Sequence, residues 1–270
     1  MVTGLGVRFD SIVASAGPLC VGIDPSAAAL QAFGLPDTAE GALEFGRAVV
    51  AASIPRVGIV KPQVAYFERF GSAGIGSLET LIREARSGGL AVIADAKRGD
   101  IGSTMDGYAN AWLASGPLQS DALTVSPYVG FDALEPAFSL ATNYGATVFV
   151  LCATSNTNAD QLQRATIAGA ALPAVVARFA RERSGGTMTV GVVVGATRGL
   201  ADSGLTEADL DGLLILAPGF GAQGASLADI SRIFGTAASR VIPSVSRSVT
   251  NDGLANMPRS IDRHLRELGL

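Results

Sequence analysis

In "ADAKRGDIGST", residues 94–104, four charged side chains fall within six positions directly after an apolar run: Asp95, Lys97, Arg98 and Asp100. An amine set among carboxylates can deliver a proton as an ammonium, or attack a carbonyl as a free amine to form an imine. Flanking aspartates favour the charged form, and so favour proton delivery. Lysine is rare here. The chain has 20 Lys and Arg residues in all, and only Lys61 and Lys97 are lysines, each closing an apolar run. A coding bias that exchanges Lys for Arg wherever charge alone matters explains the rarity. A site that needs a proton donor resists that exchange, because guanidinium stays protonated in proteins.

Asp95 and Lys97 are two apart, so on an extended strand they share one face, while Ala96 takes the other. Asp100 lies past Gly99, in the turn that follows. A lone Asp at such a place serves as a helix cap or a loop residue. Charges leaving water together are tolerated when they alternate in sign, and Lys61, Asp95, Lys97 and Asp100 supply that alternation. A second signal is independent of these charges. "PGFGAQGAS", residues 218–226, combines three glycines with a helix expected to follow, an arrangement that suits an anion. Arg247, later in the chain, adds a guanidinium able to hold two phosphate oxygens.

Eight short β-branched or apolar runs space these residues: "PLCVGID", "RVGIVK", "LAVIADAK", "ALTVSP", "TVFVLC", "MTVGVVVG", "GLLILAPG" and "RVIPSVS". Runs apolar on both faces and separated by amphipathic segments specify a parallel sheet covered by helices. Eight of them across 270 residues predict an α/β fold, a single-domain (β/α)8 TIM barrel spanning 1–270, with residues 1–17 covering the barrel floor. Helices are expected at 7–16, 38–53, 77–88, 103–114, 132–143, 159–183, 226–238 and 258–268. The long interval 153–188 reads as an active-site loop followed by an extended helix. In such a barrel the strand C-termini build the active site, and Asp24, Lys61, Asp95 and Lys97 all stand there.

Composition narrows the partners. A net charge of -4 and a pI near 5.1 give no electrostatic reason to expect nucleic acid or an acidic membrane. A small soluble ligand fits better. No stretch reaches the ~20 apolar residues that a spanning helix needs, and Asp10 interrupts any signal-peptide reading, so a cytoplasmic location is expected. Cys20 and Cys152 offer neither a disulfide framework nor a metal cluster. His264 is the only histidine. It reads as a surface residue of the terminal helix, which removes Ser-His-Asp and Cys-His schemes. There is no Walker A, HExxH or strand-linked GxGxxG sequence, so no cofactor and no metal are expected.

"LCVGIDPS", "IVKPQ", "DAKRGDIGST", "LCATSN", "PGFGAQG" and "SVSRS", in order from residue 19 to 248, together resemble orotidine 5'-phosphate decarboxylase in its longer bacterial branch. The D-x-K-x-x-D-I-x-x-T core is shared with related sugar-phosphate decarboxylases and synthases. The glutamine-bearing glycine loop and the last-strand arginine narrow the match. The resemblance implies cofactor-free conversion of orotidine 5'-monophosphate to uridine 5'-monophosphate in pyrimidine biosynthesis. It implies Lys97 as proton donor to C6, Asp95 beside the substrate carboxylate, and Lys61 tying the charged array to the ribose. Asp24 would bind ribose hydroxyls, Ile101 would line the pocket, and Ser155 would contact the pyrimidine amide. Gln223 would bridge base and phosphate, and Arg247 would grip the phosphate. Asp100 and Thr104 would reach into the neighbouring subunit's site, which implies a homodimer. Arg98 is expected to face solvent or that partner. No role is assigned to Tyr128 or Phe220. Three alternatives stay open: a magnesium-dependent sugar-phosphate decarboxylase with the same core, a Schiff-base aldolase, and an inactive phosphate-binding module.

Overall fold

The eight apolar runs become eight parallel strands in a computed structural model that describes residues 4–270. They are β1 (Cys20–Ile23), β2 (Ile59–Pro62), β3 (Ala91–Arg98), β4 (Ala122–Val125), β5 (Thr147–Ala153), β6 (Val190–Val194), β7 (Leu214–Pro218) and β8 (Val241–Val245). Each pairs in parallel with its neighbours in the sequence, and β8 returns to β1, so the sheet closes into a (β/α)8 TIM barrel. Closure leaves no sheet edge to protect.

The alternation of side chains divides the interior into two cores. Outward residues such as Val21, Val60, Val92, Leu123, Val148 and Ile215 pack beneath the surrounding helices. Inward residues such as Cys20, Ile59, Ile93, Phe149, Leu214 and Ile242 fill the lumen. Leu5, Phe9 and Ile12, on the helix Leu5–Ala16, plug the lumen from below and are almost fully buried. Residues 1–3 of the expected floor segment lie outside the described residues. Following the same inward parity upward, Ile59 gives way to Lys61, Ile93 to Asp95, Ala122 to Thr124 and Ile242 to Ser244. The lumen is therefore apolar at its floor and polar at its mouth, and the apolar layers hold the polar one in place.

Most expected helices form: Ala39–Ser53, Gly71–Ser87, Gly102–Leu113, Glu135–Tyr144 and Met257–Glu267. Two differ. Within 159–183, Asp160–Gln163 makes one helical turn. Thr166–Ile167 and Ala170–Ala171 then form a small antiparallel hairpin before the helix Leu172–Ser184. Ala168 (φ 51°) and Gly169 (φ 82°) turn that hairpin through left-handed backbone, which no α-helix passes. Within 226–238, the chain makes a 3-10 turn, a five-residue helix Ile230–Phe234 and a second 3-10 segment, because Gly235 at φ 53° ends the helix. Between β6 and β7 two 3-10 turns, Ala201–Ser203 and Glu207–Leu210, stand in place of a helix. Among the described residues no helix is long and apolar enough to cross a membrane.

Candidate active site

At the mouth of the barrel, Asp95 sits between the two lysines of the chain. Its Oδ2 accepts from Lys61 Nζ at 2.9 Å and its Oδ1 from Lys97 Nζ at 2.6 Å. Thr124 Oγ1, one strand over on β4, donates to the same Oδ1 at 2.9 Å and accepts from the Lys97 backbone N–H at 3.0 Å. Gln63, oriented by its partners, points its amide nitrogen at the Asp95 carbonyl oxygen (2.6 Å) and its oxygen at the Lys97 ammonium (3.3 Å).

Lys97 does not reach this place by simple strand alternation. The β3–β4 register shifts between Ala94 and Arg98, and Lys97 takes a left-handed φ of 48°. Such backbone costs a non-glycine residue about 1–2 kcal/mol, and the bond from Lys97 N–H to Thr124 is one of the contacts that hold it. The bulge aims the amine across the cavity mouth, where its side chain keeps 44% exposure against 9% for Lys61. Ala96, as the alternation predicts, packs outward into the helical layer.

Burial alone would raise the Asp95 pKa, but attraction to Lys61 and then to Lys97, with their hydrogen bonds, holds the carboxyl well below the usual carboxylate range. For Lys61, burial opposes the charge, and Asp95 followed by Asp24 outweigh it, so its pKa is raised. Directly below Lys61 in the lumen, the Cys20 thiol is pushed up to about 12 by burial and remains a neutral core group. Asp24, in the loop after β1, has its Oδ1 buried with no hydrogen-bond partner.

These residues line one side of a cavity of about 290 Å3. Leu151, Val193 and Leu216 give it an apolar floor. Its far side is Ser155, Gln223, Ser246 and Arg247. Ser155 Oγ donates to Gln223 Oε1 at 3.3 Å, which joins the loop after β5 to the glycine loop after β7. The short helix after that loop leaves the anion-binding geometry to the loop itself and to Arg247. Charged and apolar surfaces thus face each other across a space that opens at one end on a guanidinium. This suits a flat, partly apolar ring carrying one anionic group near Lys97 and another near Arg247.

Not every expected residue enters the cavity. Asp24, Lys61, Asp95, Lys97, Ser155, Gln223 and Arg247 do. Asp100, Ile101 and Thr104 do not: Asp100 Oδ1 accepts from the Ile101 N–H at 2.8 Å, Ile101 is 63% exposed, and Thr104 is exposed on the first turn of Gly102–Leu113. Arg98 stays partly exposed, its side chain 22% accessible. It pairs with Glu68 and lies over the rings of Tyr108 and Trp112, because the bulge turns it back onto its own helical layer. His264 is also corrected, being 3% exposed, since the terminal helix turns it inward against Ser248. Thr124, Gln63 and Phe220 line the site without having been singled out for it. Thr124 had a signal, as the one polar residue at an inward position of β4. Tyr128 is 80% exposed. Among the described residues, no three His, Cys, Asp or Glu side chains converge as a metal site would require.

The model of the orotidine 5'-phosphate decarboxylase / HUMPS family matches residues 17–256. An orotidine 5'-phosphate decarboxylase of Streptomyces coelicolor is 48% identical over 255 residues, covering 92% of this chain and 90% of the relative. Among solved structures, one from Streptomyces avermitilis is similar with a TM-score of 0.93 at 44% identity, covering 100% of this chain and 96% of the other. The OMP decarboxylase of Leishmania donovani is similar with a TM-score of 0.83 at 30% identity, covering 99% and 98%.

Proposed function

From the premise that the chain belongs to the orotidine 5'-phosphate decarboxylase / HUMPS family and acts as a decarboxylase in pyrimidine biosynthesis, we propose that it converts orotidine 5'-monophosphate to uridine 5'-monophosphate and carbon dioxide without a cofactor. The observation that carries this reading is the Lys61–Asp95–Lys97 array on one wall of a cavity whose opposite wall holds Gln223 and Arg247. Arg247 and the glycine loop grip the phosphate, Ser155 and Gln223 meet the base, and Asp24, with its unpartnered oxygen, takes ribose hydroxyls together with Lys61. The substrate carboxylate then lies beside Asp95.

As the bond from C6 to the carboxylate carbon breaks, its electron pair stays on C6 in the plane of the ring, where no adjacent carbonyl can absorb it. The Lys97 ammonium, aimed at that carbon, stabilises the developing charge and transfers its proton to C6, then regains a proton from solvent. A fixed charge of this kind is strongest in a site closed to water. The remote phosphate grip supplies binding energy for closing the loops over the base. Asp95 carries two roles, crowding the leaving carboxylate and orienting both amines.

The positions of Asp100, half-buried, and of Ile101 and Thr104, both exposed, outside the cavity support a homodimer in which Asp100 and Thr104 complete the neighbouring subunit's site. We read residues 1–270 as one catalytic unit, and its two free, buried cysteines suit a reducing cytoplasm. The test is an absorbance assay of orotidine 5'-monophosphate consumption with and without a chelator. Turnover unchanged by chelation is expected. Absence of turnover contradicts the reading, and loss on chelation favours the magnesium-dependent alternative.

A further inference from the structure

The one histidine of the chain sits behind the phosphate end of the cavity, outside its lining. His264, on the helix Met257–Glu267, places Nε2 2.9 Å from Ser248 Oγ and Nδ1 3.4 Å from Glu267 Oε2. With the Glu267 carboxylate facing Nδ1, the tautomer assigned to the ring carries its proton there and leaves Nε2 to accept from the Ser248 hydroxyl. The preceding residue of the helix, Arg263, donates from Nη2 to the Ser248 carbonyl oxygen at 3.0 Å. The residue directly after Arg247 is thus held at both its side chain and its backbone.

The glycine loop rests on the same point. Gly221 has φ +70°, and a Cβ there would lie 2.5 Å from Ser248 Oγ and 3.6 Å from His264 Cε1. Gly221 lies two residues before Gln223, and Ser248 lies one after Arg247. His264, Ser248 and Gly221 therefore form a stack that fixes the loop after β7 against the segment after β8, and these two segments carry the proposed phosphate contacts.

We propose that His264 is a positioning residue of the phosphate subsite: through the Ser248 hydroxyl it holds Arg247 and the glycine loop at the spacing that a phosphate monoester requires. The inference rests on the functional reading above. His264 touches no substrate atom, and its effect is confined to the phosphate end. An apolar side chain of similar size fills the space but leaves the Ser248 hydroxyl without its acceptor, free to turn toward the loop.

The test compares binding of uridine and uridine 5'-monophosphate to the full chain by calorimetry in wild type, His264→Phe, His264→Gln and Ser248→Ala. His264→Phe and Ser248→Ala are expected to weaken the nucleotide about five- to tenfold, the effect of one lost hydrogen bond, and to leave uridine unchanged. His264→Gln, whose amide oxygen reaches the Nε2 position, is expected to restore the nucleotide. Equal weakening of both ligands, unchanged nucleotide binding, or failure of Gln to restore it overturns the proposal. Should His264→Phe fail to fold, Ser248→Ala, which deletes only a hydroxyl, decides by the same comparison. A wild type that binds both ligands equally removes the phosphate subsite, and with it both the functional reading and this inference.

Discussion

Lys61→Met removes one of the two ammonium groups facing Asp95 and leaves that carboxylate, 11% exposed, with Lys97 and Thr124. At 2.9 Å and an effective dielectric constant of about 20, the lost attraction is about 6 kcal/mol. Removing the lysine also removes the cost of burying it. The net loss is expected near about 3 kcal/mol, the low end for breaking a buried pair, because Lys97 still faces Oδ1. The folded pKa of Asp95 is depressed, so its contribution is present above the unfolded value of about 3.9 and is lost as pH falls through the folded value. The pKa of Lys61 is raised, so its contribution is present below about 10.4 and is lost as pH rises through its folded value. The stability gap between wild type and variant is therefore widest between about pH 4 and about pH 10 and narrows on both sides. Urea unfolding from about pH 2 to pH 11, analysed at constant m-value, reads this directly. A gap equal at all pH values shows that packing, not charge, is lost. No gap at neutral pH refutes the charge reasoning outright.

Two further outcomes follow from the geometry. At Lys97, held at φ 48°, the Gly variant is expected to be about 1 kcal/mol more stable than the Ala variant, because only glycine adopts that backbone without strain; equal urea midpoints would place the strain elsewhere. Both variants should lack turnover. If Asp100 completes the partner's site, inactive Lys97→Ala and Asp100→Ala chains mixed at equal concentration and allowed to exchange should regain about one quarter of wild-type activity, since statistical pairing restores one site in half of the dimers. Absence of recovery, with exchange verified by native mass spectrometry, argues that each chain builds its own site.

The barrel was legible because fully buried parallel strands leave short runs that are apolar on both faces, and the polar mouth was legible because Lys61, Asp95 and Lys97 interrupt those runs at their C-terminal ends. The route by which Lys97 arrives was not. Strand alternation puts it on the same face as Asp95, whereas the chain reaches that contact through a bulge fixed by Thr124, a tertiary contact that local pattern does not encode. His264 was misplaced for a related reason. Arg259, Asp262, Arg263 and Arg266 give its helix a charged character, and the inward face becomes visible only when Ser248 and Gly221 come beneath it. The hairpin at 166–171 replaced a helix because two consecutive left-handed residues outweigh an amphipathic pattern that spans them. Asp100, Ile101 and Thr104 stand apart from the cavity, because the chain turns away from the barrel mouth at Gly99 and enters the helix Gly102–Leu113.

The central claim is that the Lys97 ammonium, clamped by Asp95, supplies the proton to C6. Single-turnover kinetics of Lys97→Arg with orotidine 5'-monophosphate, alongside its affinity for uridine 5'-monophosphate, test this most directly, because arginine keeps the charge but does not release a proton. The expected result is loss of product formation with nucleotide binding largely retained. Appreciable product formation by this variant would contradict the claim.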